Sequence, residues 1–267
     1  MGRVHYENFP VASLLLPRRF RPPIALIYRF AREADDFADE GDAPGPARLA
    51  QLERFRDQLR RIEGGQAPDI PWFVGLAAAI RRHDLPIGAF ADLLSAFAQD
   101  VTRQRYADFA EVLDYCRRSA NPVGRLLLHL FRRASAENLT WSDSVCSALQ
   151  LVNFWQDVAI DYAKDRVYLP QDEMKRYGVT ERHIAEQRAD DAWRALIRFQ
   201  VERARGMLLA GAPLGRALPG RIGLEIRATI QGGLRILEKL ERAGYDMFRH
   251  RPILRPHDWP IIFLRAL

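Results

Sequence analysis

Gln150-Leu-Val-Asn-Phe-Trp-Gln-Asp-Val-Ala-Ile-Asp161 runs on into Tyr162-Ala-Lys-Asp-Arg-Val-Tyr-Leu-Pro170. Wound as a helix at about 100° per residue, Gln150, Asn153, Asp157 and Asp161 project at about 0°, 300°, 340° and 20°, one narrow polar stripe. The neighbours Leu151, Val152, Phe154, Trp155, Val158 and Ile160 are apolar, which predicts a helix buried on nearly every other side. Two carboxylates on one line of a buried helix need a positive partner, because unpaired charge in an apolar interior is very costly. A metal ion is one such partner.

Working outward, Ala, Leu, Arg and Glu dominate, and no strand-like alternation of useful length occurs. The chain therefore reads as all-α, with around ten helices, no fixed-period repeat and no linker long enough to separate domains, so residues 1–267 form a single domain. Helical period runs from Ile24 to Asp39, opened by Pro22 and Pro23, and again over 47–63, 71–83, 86–100, 108–120 and 123–134. The opening stretch belongs to a helix over 142–164, with Ser142 and Asp143 as caps. A short helix at 171–178, long ones at 188–210 and 221–248, and an amphipathic tail at 258–267 complete the pattern.

Composition narrows the function. With 48% hydrophobic residues the chain buries a substantial core, and its net charge of +6 is driven by arginine. Such a surface suits an anionic substrate or membrane; no zinc-finger spacing, recognition motif or basic tail points to nucleic acid. Cys116 and Cys146 lie in apolar helical stretches and read as buried thiols in a reducing compartment. The first residues lack a signal-peptide core, and no stretch reaches the roughly 20 apolar residues of a membrane span, so a cytoplasmic protein is expected.

A second acidic stripe precedes the first in the chain. In Tyr28-Arg-Phe-Ala-Arg-Glu-Ala-Asp-Asp-Phe-Ala-Asp-Glu40, Tyr28, Arg32, Asp35 and Asp39 project at about 20°, 60°, 0° and 40°, with Asp36 at the edge. Carboxylates at i and i+4 suit a hard cation such as Mg²⁺, which keeps several waters and takes one or two carboxylates plus substrate phosphate. Taken alone, the motif reads as a solvated acidic face; Asp157 and Asp161 repeat its geometry. If the two helices face each other, metal ions between them can hold a diphosphate and neutralise the charge that develops as its C–O bond breaks.

The two motifs, their order and their flanks resemble the squalene/phytoene synthase family of head-to-head prenyl synthases, over nearly the whole chain. Phe9-Pro-Val-Ala-Ser-Leu-Leu-Leu-Pro17 and Ile24-Ala-Leu-Ile-Tyr28 are similar to that family's entry into its first aspartate helix. Tyr115-Cys-Arg-Arg-Ser-Ala-Asn-Pro-Val-Gly124 is similar to its Tyr-Cys-x-x-x-Ala-Gly-x-Val-Gly segment, and Arg166-Val-Tyr168-Leu-Pro170 to its Arg-x-Tyr-x-Pro. The resemblance implies a helical bundle of the isoprenoid-synthase type around a central cavity, a prenyl diphosphate substrate and several Mg²⁺ ions.

By matching position, the resemblance makes Asp35, Asp36 and Asp39 the first metal-binding set and Asp157 with Asp161 the second, Asp35 and Asp157 also acting in catalysis. It places Tyr28, Arg32, Gln150, Asn153, Gln156, Arg166 and Tyr168 around the substrate, the arginines suited to bidentate phosphate contacts. Tyr115 falls near the reacting carbons, where an aromatic face stabilises a cation; a buried structural tyrosine is the competing reading.

Departures from the family pattern refine this. The usual second motif is Asn-x-x-Arg-Asp-x-x-Glu-Asp; here Gln156 removes a positive charge and Ile160 a carboxylate. Asn121 stands where glycine is usual, and Gly233 where tyrosine is common, which would open space or remove a hydroxyl. With His5-Tyr-Glu-Asn-Phe-Pro-Val11, Asn153-Phe-Trp-Gln-Asp-Val158 and the ending Phe248-Arg-His-Arg-Pro-Ile-Leu254, these departures resemble the hydroxysqualene synthase branch of bacterial hopanoid pathways. That branch implies ionisation of presqualene diphosphate, cation rearrangement and capture by water, without NADPH.

Two rivals stand beside this reading: a complete head-to-head synthase, and a non-catalytic assembly or lipid-binding protein that kept the fold. The six histidines show no metal-ligand spacing; His5, in the branch-like segment, is a candidate for placing water. The tail from Trp259 to Leu267 reads first as a core-docking helix and second as a peripheral contact with the inner face of a membrane. Handover to neighbouring pathway enzymes is a further expectation.

Overall fold

A computed structural model describes residues 17–39 and 43–267. His5 and the segment from Phe9 to Leu16, on which part of the resemblance rests, lie outside the described residues, as does Glu40.

After a 3-10 turn at Arg18–Phe20, the chain forms α1 (Arg21–Asp39), α2 (Gly45–Glu63), α3 (Phe73–His83), α4 (Ile87–Thr102), α5 (Phe109–Ser119), α6 (Asn121–Leu130) and α7 (Ala136–Ala163). Then follow α8 (Gln171–Arg176), α9 (Glu181–Ala185), α10 (Asp191–Gly211), α11 (Leu214–Ala217), α12 (Gly220–Arg242) and α13 (Asp258–Ala266). The architecture is all-α. The one β-bridge among the described residues joins Arg105 to Val167.

Local chemistry sets the helix ends. Pro22 and Pro23 sit in the first turn of α1, where a missing N–H costs nothing. The Asp108 and Asp190 carboxylates accept from the Glu111 and Trp193 amides at 3.0 Å, capping α5 and α10. Ala120 separates α5 from α6, and Pro122 lies in the first turn of the second. The predicted start of the central helix is corrected. α7 begins one and a half turns earlier, capped by the Ser135 hydroxyl, because Ser142 and Asp143 are spent sideways on α6. Ser142 packs on Gly124, which has no room for a Cβ against it, and Asp143 pairs with Arg125 at 2.5 Å. The long helix predicted over 221–248 stops at Arg242, where Gly244 and Tyr245 take left-handed backbone.

Apolar side chains gather in two clusters. One is built from Phe30, Phe55, Phe73 and Phe90 on α1 to α4, joined by Leu126 of α6. Edge-to-face contacts of Phe30 with Phe73 and Phe90, at 5.9 and 5.1 Å, define its centre. The other centres on α7, whose Leu151, Val152 and Trp155 pack with Trp193, Leu196 and Ile197 of α10 and Ile236 and Leu237 of α12. Ile160, expected in the apolar surround of α7, is instead 49% exposed; this last turn of the helix is open on one side.

α13 docks through Ile262 and Ala266, and Arg227 of α12 holds its Ala266 carbonyl. The first reading of the tail therefore holds on its inner face, while Phe263 and Leu264 lie outward. No described helix is long and apolar enough to cross a membrane. Cys116 and Cys146 are free thiols, as read from the sequence.

Candidate active site

α1 and the end of α7 are joined by charge. Arg166 Nη1 lies 2.6 Å from Asp39 Oδ1, and Lys164 Nζ lies 3.1 Å from Asp39 Oδ2. The backbone turn after α7 makes this reach available. Asp165 adopts φ 59°, and the Arg166 amide bonds back to the Asp161 carbonyl at 2.9 Å, so the chain reverses beside the second aspartate pair. The Val167 amide then donates to the Gln104 carbonyl at 2.9 Å, anchoring the segment that carries Arg166 and Tyr168.

The five predicted metal-binding aspartates divide by environment. Burial, reinforced by Asp39, pushes Asp35 up to about 7, although 39% of its side chain still meets solvent. Burial and the neighbouring Asp157 push Asp161 up to about 8, with Asp39 adding to the repulsion. Asp39 itself is half-buried, which alone would raise it, but Arg166 and Lys164 hold it below the ordinary carboxylate range. Asp36 is 3.0 Å from Arg32 one turn earlier on α1. Asp157 is paired from across the fold by Arg251, at 2.5 Å.

The donor chemistry fits Mg²⁺: hard carboxylate oxygens at i and i+4 on two helices, with like charges crowded enough to lift two of them. Among the described residues no three carboxylate, thiolate or imidazole groups already converge as a ligand set; Arg32, Arg166, Lys164 and Arg251 hold the aspartates instead.

Beside the aspartates lies an aromatic wall. Phe154 stacks on Tyr168 with centroids 3.7 Å apart and planes within 6°. Tyr115 tilts against both, at 6.0 and 5.6 Å. A cavity of about 10 Å³ opens here, lined by Phe154, Val158, Asp161, Arg166 and Tyr168 among others. A much larger depression, about 750 Å³, lies over Phe37, Phe55, Trp72 and Arg60. Its lining includes no residue of α7 and none of the five aspartates, so the carboxylates rather than volume place the site.

Other predicted residues distribute less evenly. Tyr28, Gln150 and Asn153 are half-buried on the expected helix faces. Gln156 is corrected as a substrate contact: its side chain is 2% exposed and its amide donates to the Pro252 carbonyl, tying α7 to the C-terminal segment. Asn121 uses its side chain to accept from Ser147 of α7 at 2.8 Å. The expectation that Gly233 opens space is also overturned. A Cβ there would stand 2.8 Å from Leu149 and 3.1 Å from Leu208, so glycine admits a close approach of α12 to α7 and α10.

Sequence reading missed Asp100, Lys164 and Arg251. Asp100 ends the helix predicted over 86–100 without any motif to mark it, yet it is 5% exposed and accepts from Tyr115 at 2.7 Å. Burial pushes it up to about 7, against the opposing pull of Arg166.

Comparison with known proteins agrees with this geometry. The squalene/phytoene synthase family model matches residues 3–258. The chain belongs to that family. It is similar to hydroxysqualene synthase of Rhodopseudomonas palustris, with 34% identity over 100% of this chain and 90% of the relative. Its likeness to hydroxysqualene synthase of Zymomonas mobilis is 36% identity, covering 94% of this chain and 82% of the relative. Among solved structures, squalene synthase HpnC from Alicyclobacillus acidocaldarius superposes with a TM-score of 0.84 at 36% identity, covering 90% of each chain. The protein is thus a squalene/phytoene-synthase-type enzyme with that family's all-helical fold.

Proposed function

We propose that the chain converts presqualene diphosphate to hydroxysqualene in bacterial hopanoid biosynthesis, by ionising the diphosphate, letting the cation rearrange and admitting water. The observation that carries this reading is the bond from Asp39 to Arg166. It joins the two aspartate helices in one cluster of charge, beside the wall of Phe154, Tyr168 and Tyr115.

In this reading Asp35, Asp36, Asp39, Asp157 and Asp161 hold the metal. Bound Mg²⁺ supplies Lewis-acid charge that makes diphosphate a better leaving group. Arg32, Arg166, Lys164 and Arg251 already stand among the carboxylates, and an arriving diphosphate draws on them for charge-assisted hydrogen bonds. The stacked Phe154 and Tyr168 offer π-electrons to the carbocation left when the diphosphate departs, stabilising it and excluding bulk water. Neither NADPH nor a second diphosphate is needed. The names of the Rhodopseudomonas and Zymomonas relatives support this, as does the use of Gln156 as a buried structural amide where the family pattern has a cation.

A second reading, full head-to-head condensation ending in squalene, is favoured by the name of the Alicyclobacillus structure. The two separate when purified protein with Mg²⁺ is given presqualene diphosphate or farnesyl diphosphate in parallel. Hydroxysqualene from the first and no C30 product from the second is expected. A C30 product from farnesyl diphosphate alone would overturn the proposal.

A further inference from the structure

Beside the five proposed metal ligands the site contains a further buried carboxylate, Asp100. Asp100, in the last turn of α4, accepts a hydrogen bond from the Tyr115 hydroxyl on Oδ2 at 2.7 Å and from the Tyr168 hydroxyl on Oδ1 at 3.4 Å. Three tyrosine rings surround it: Tyr106 stands 5.8 Å from Tyr115 and 5.6 Å from Tyr168, and Tyr115 stands 5.6 Å from Tyr168. Gln99 donates to the Tyr106 hydroxyl at 3.2 Å. The charged groups facing this cluster are Arg166, which reaches the Asp100 backbone carbonyl at 3.4 Å, Arg103, whose guanidinium lies 4.9 Å over the Tyr106 ring, Asp161 toward Tyr168 and, more remotely, Asp39 and Asp35 of α1.

A hydroxyl has one proton and two lone pairs. Where a carboxylate takes the proton, both lone pairs of the phenol oxygen are left for other partners, and the ring becomes more electron-rich. Asp100 does this to Tyr115 and Tyr168 together. Tyr168 in turn is the ring stacked on Phe154 and lining the small cavity beside Asp161. A water that donates to such a phenol oxygen keeps its own lone pair free for a cation.

We infer that Asp100 is a positioning residue for the reaction: by accepting the hydrogen bonds of the Tyr115 and Tyr168 hydroxyls, it fixes both phenols as acceptors in the aromatic wall, Tyr168 on the cavity lining and Tyr115 packed against it, where they stabilise the cation and orient the capturing water. This rests on the proposed ionisation chemistry. Asp100 acts through the two tyrosines.

Burial of Asp100 lifts its ionisation to about 7, so the test is run above that value, where the carboxylate accepts both hydroxyls. Wild type, Asp100→Asn, Tyr115→Phe/Tyr168→Phe and the triple variant are compared by the rate of diphosphate release from presqualene diphosphate and by product composition. An amide at position 100 keeps the shape but turns an N–H toward one phenol. Asp100→Asn is expected to lower turnover by about 10- to 100-fold while leaving KM within about threefold. In the Tyr115→Phe/Tyr168→Phe background the same change is expected to matter by no more than about threefold, since both hydroxyls through which it acts are gone. Thermal unfolding confirms that each variant is folded, and Asp100→Ser replaces Asp100→Asn if the amide prevents folding.

Equal losses in both backgrounds would overturn the inference, because a purely structural Asp100 acts with or without the two tyrosine hydroxyls. Wild-type diphosphate release from presqualene diphosphate tests the proposed function separately. If the wild type acts on farnesyl diphosphate instead, the cycle is run on that substrate, and the two failures remain distinguishable.

Discussion

Arg166 Nη1 stands 2.6 Å from Asp39 Oδ1, and this pair joins the last residue of the first aspartate helix to the turn that follows the second. Both partners are mostly buried, with side-chain exposures of 11% and 19%. Removing the guanidinium leaves Asp39 with Lys164 alone, in a site that burial already makes hostile to charge. Arg166→Ala is expected to cost about 3 kcal/mol of stability, the usual penalty for breaking a buried pair. Loss of the same group from the diphosphate is expected to cut kcat/KM by about 100-fold or more. Denaturant unfolding and steady-state kinetics check the two effects; a variant with both unchanged would remove the pair from the account.

The aspartates set a pH dependence of known sign. Asp35 and Asp161 ionise at about 7 and about 8 in the fold, against 3.8 ordinarily. The folded chain therefore retains protons that the unfolded chain has released, and the stability this contributes is present in acid and lost as pH rises through 7 and 8. Asp39 runs the opposite way, since its lowered value contributes stability that is lost only in acid. Metal binding needs the ionised carboxylates. Melting temperature with excess MgCl₂ is thus expected to rise more at about pH 8 than at about pH 6, relative to metal-free protein. A Mg²⁺ effect independent of pH would contradict the proposed ligand set.

Gly233 gives a steric prediction. Leu149 and Leu208 occupy the space that a side chain would need. Gly233→Ala gains helix propensity and displaces only the ends of two flexible leucines, so its net effect is expected to stay within about 1 kcal/mol. Gly233→Tyr is expected to destabilise by about 3 kcal/mol or more. Equilibrium urea unfolding measures both, and a tyrosine accommodated without loss would mean that this face of α12 is open after all.

The all-α class and the two aspartate stripes were legible because both depend on residues a few positions apart, where helical period decides everything. The same locality explains the misses. Ser142 and Asp143 look like caps until α6 is placed beside them and takes their side chains. Gly233 looks like space until Leu149 and Leu208 arrive from two other helices. Arg251 lies 94 positions from Asp157, and Asp100 sits 15 positions from Tyr115 and 68 from Tyr168; no local pattern marks such partners. Gln156 and Ile160 were visible as departures, but that one is buried against Pro252 and the other exposed could be known only from packing.

The central claim is that the chain ionises presqualene diphosphate and lets water capture the rearranged cation. Incubation of the purified protein with presqualene diphosphate and Mg²⁺ in ¹⁸O-water, followed by mass spectrometry of the neutral product, measures this most directly. The account predicts hydroxysqualene with its hydroxyl oxygen drawn from the labelled water. An unlabelled alcohol, formed by cleavage of the P–O bond, or a hydrocarbon without oxygen, would contradict it.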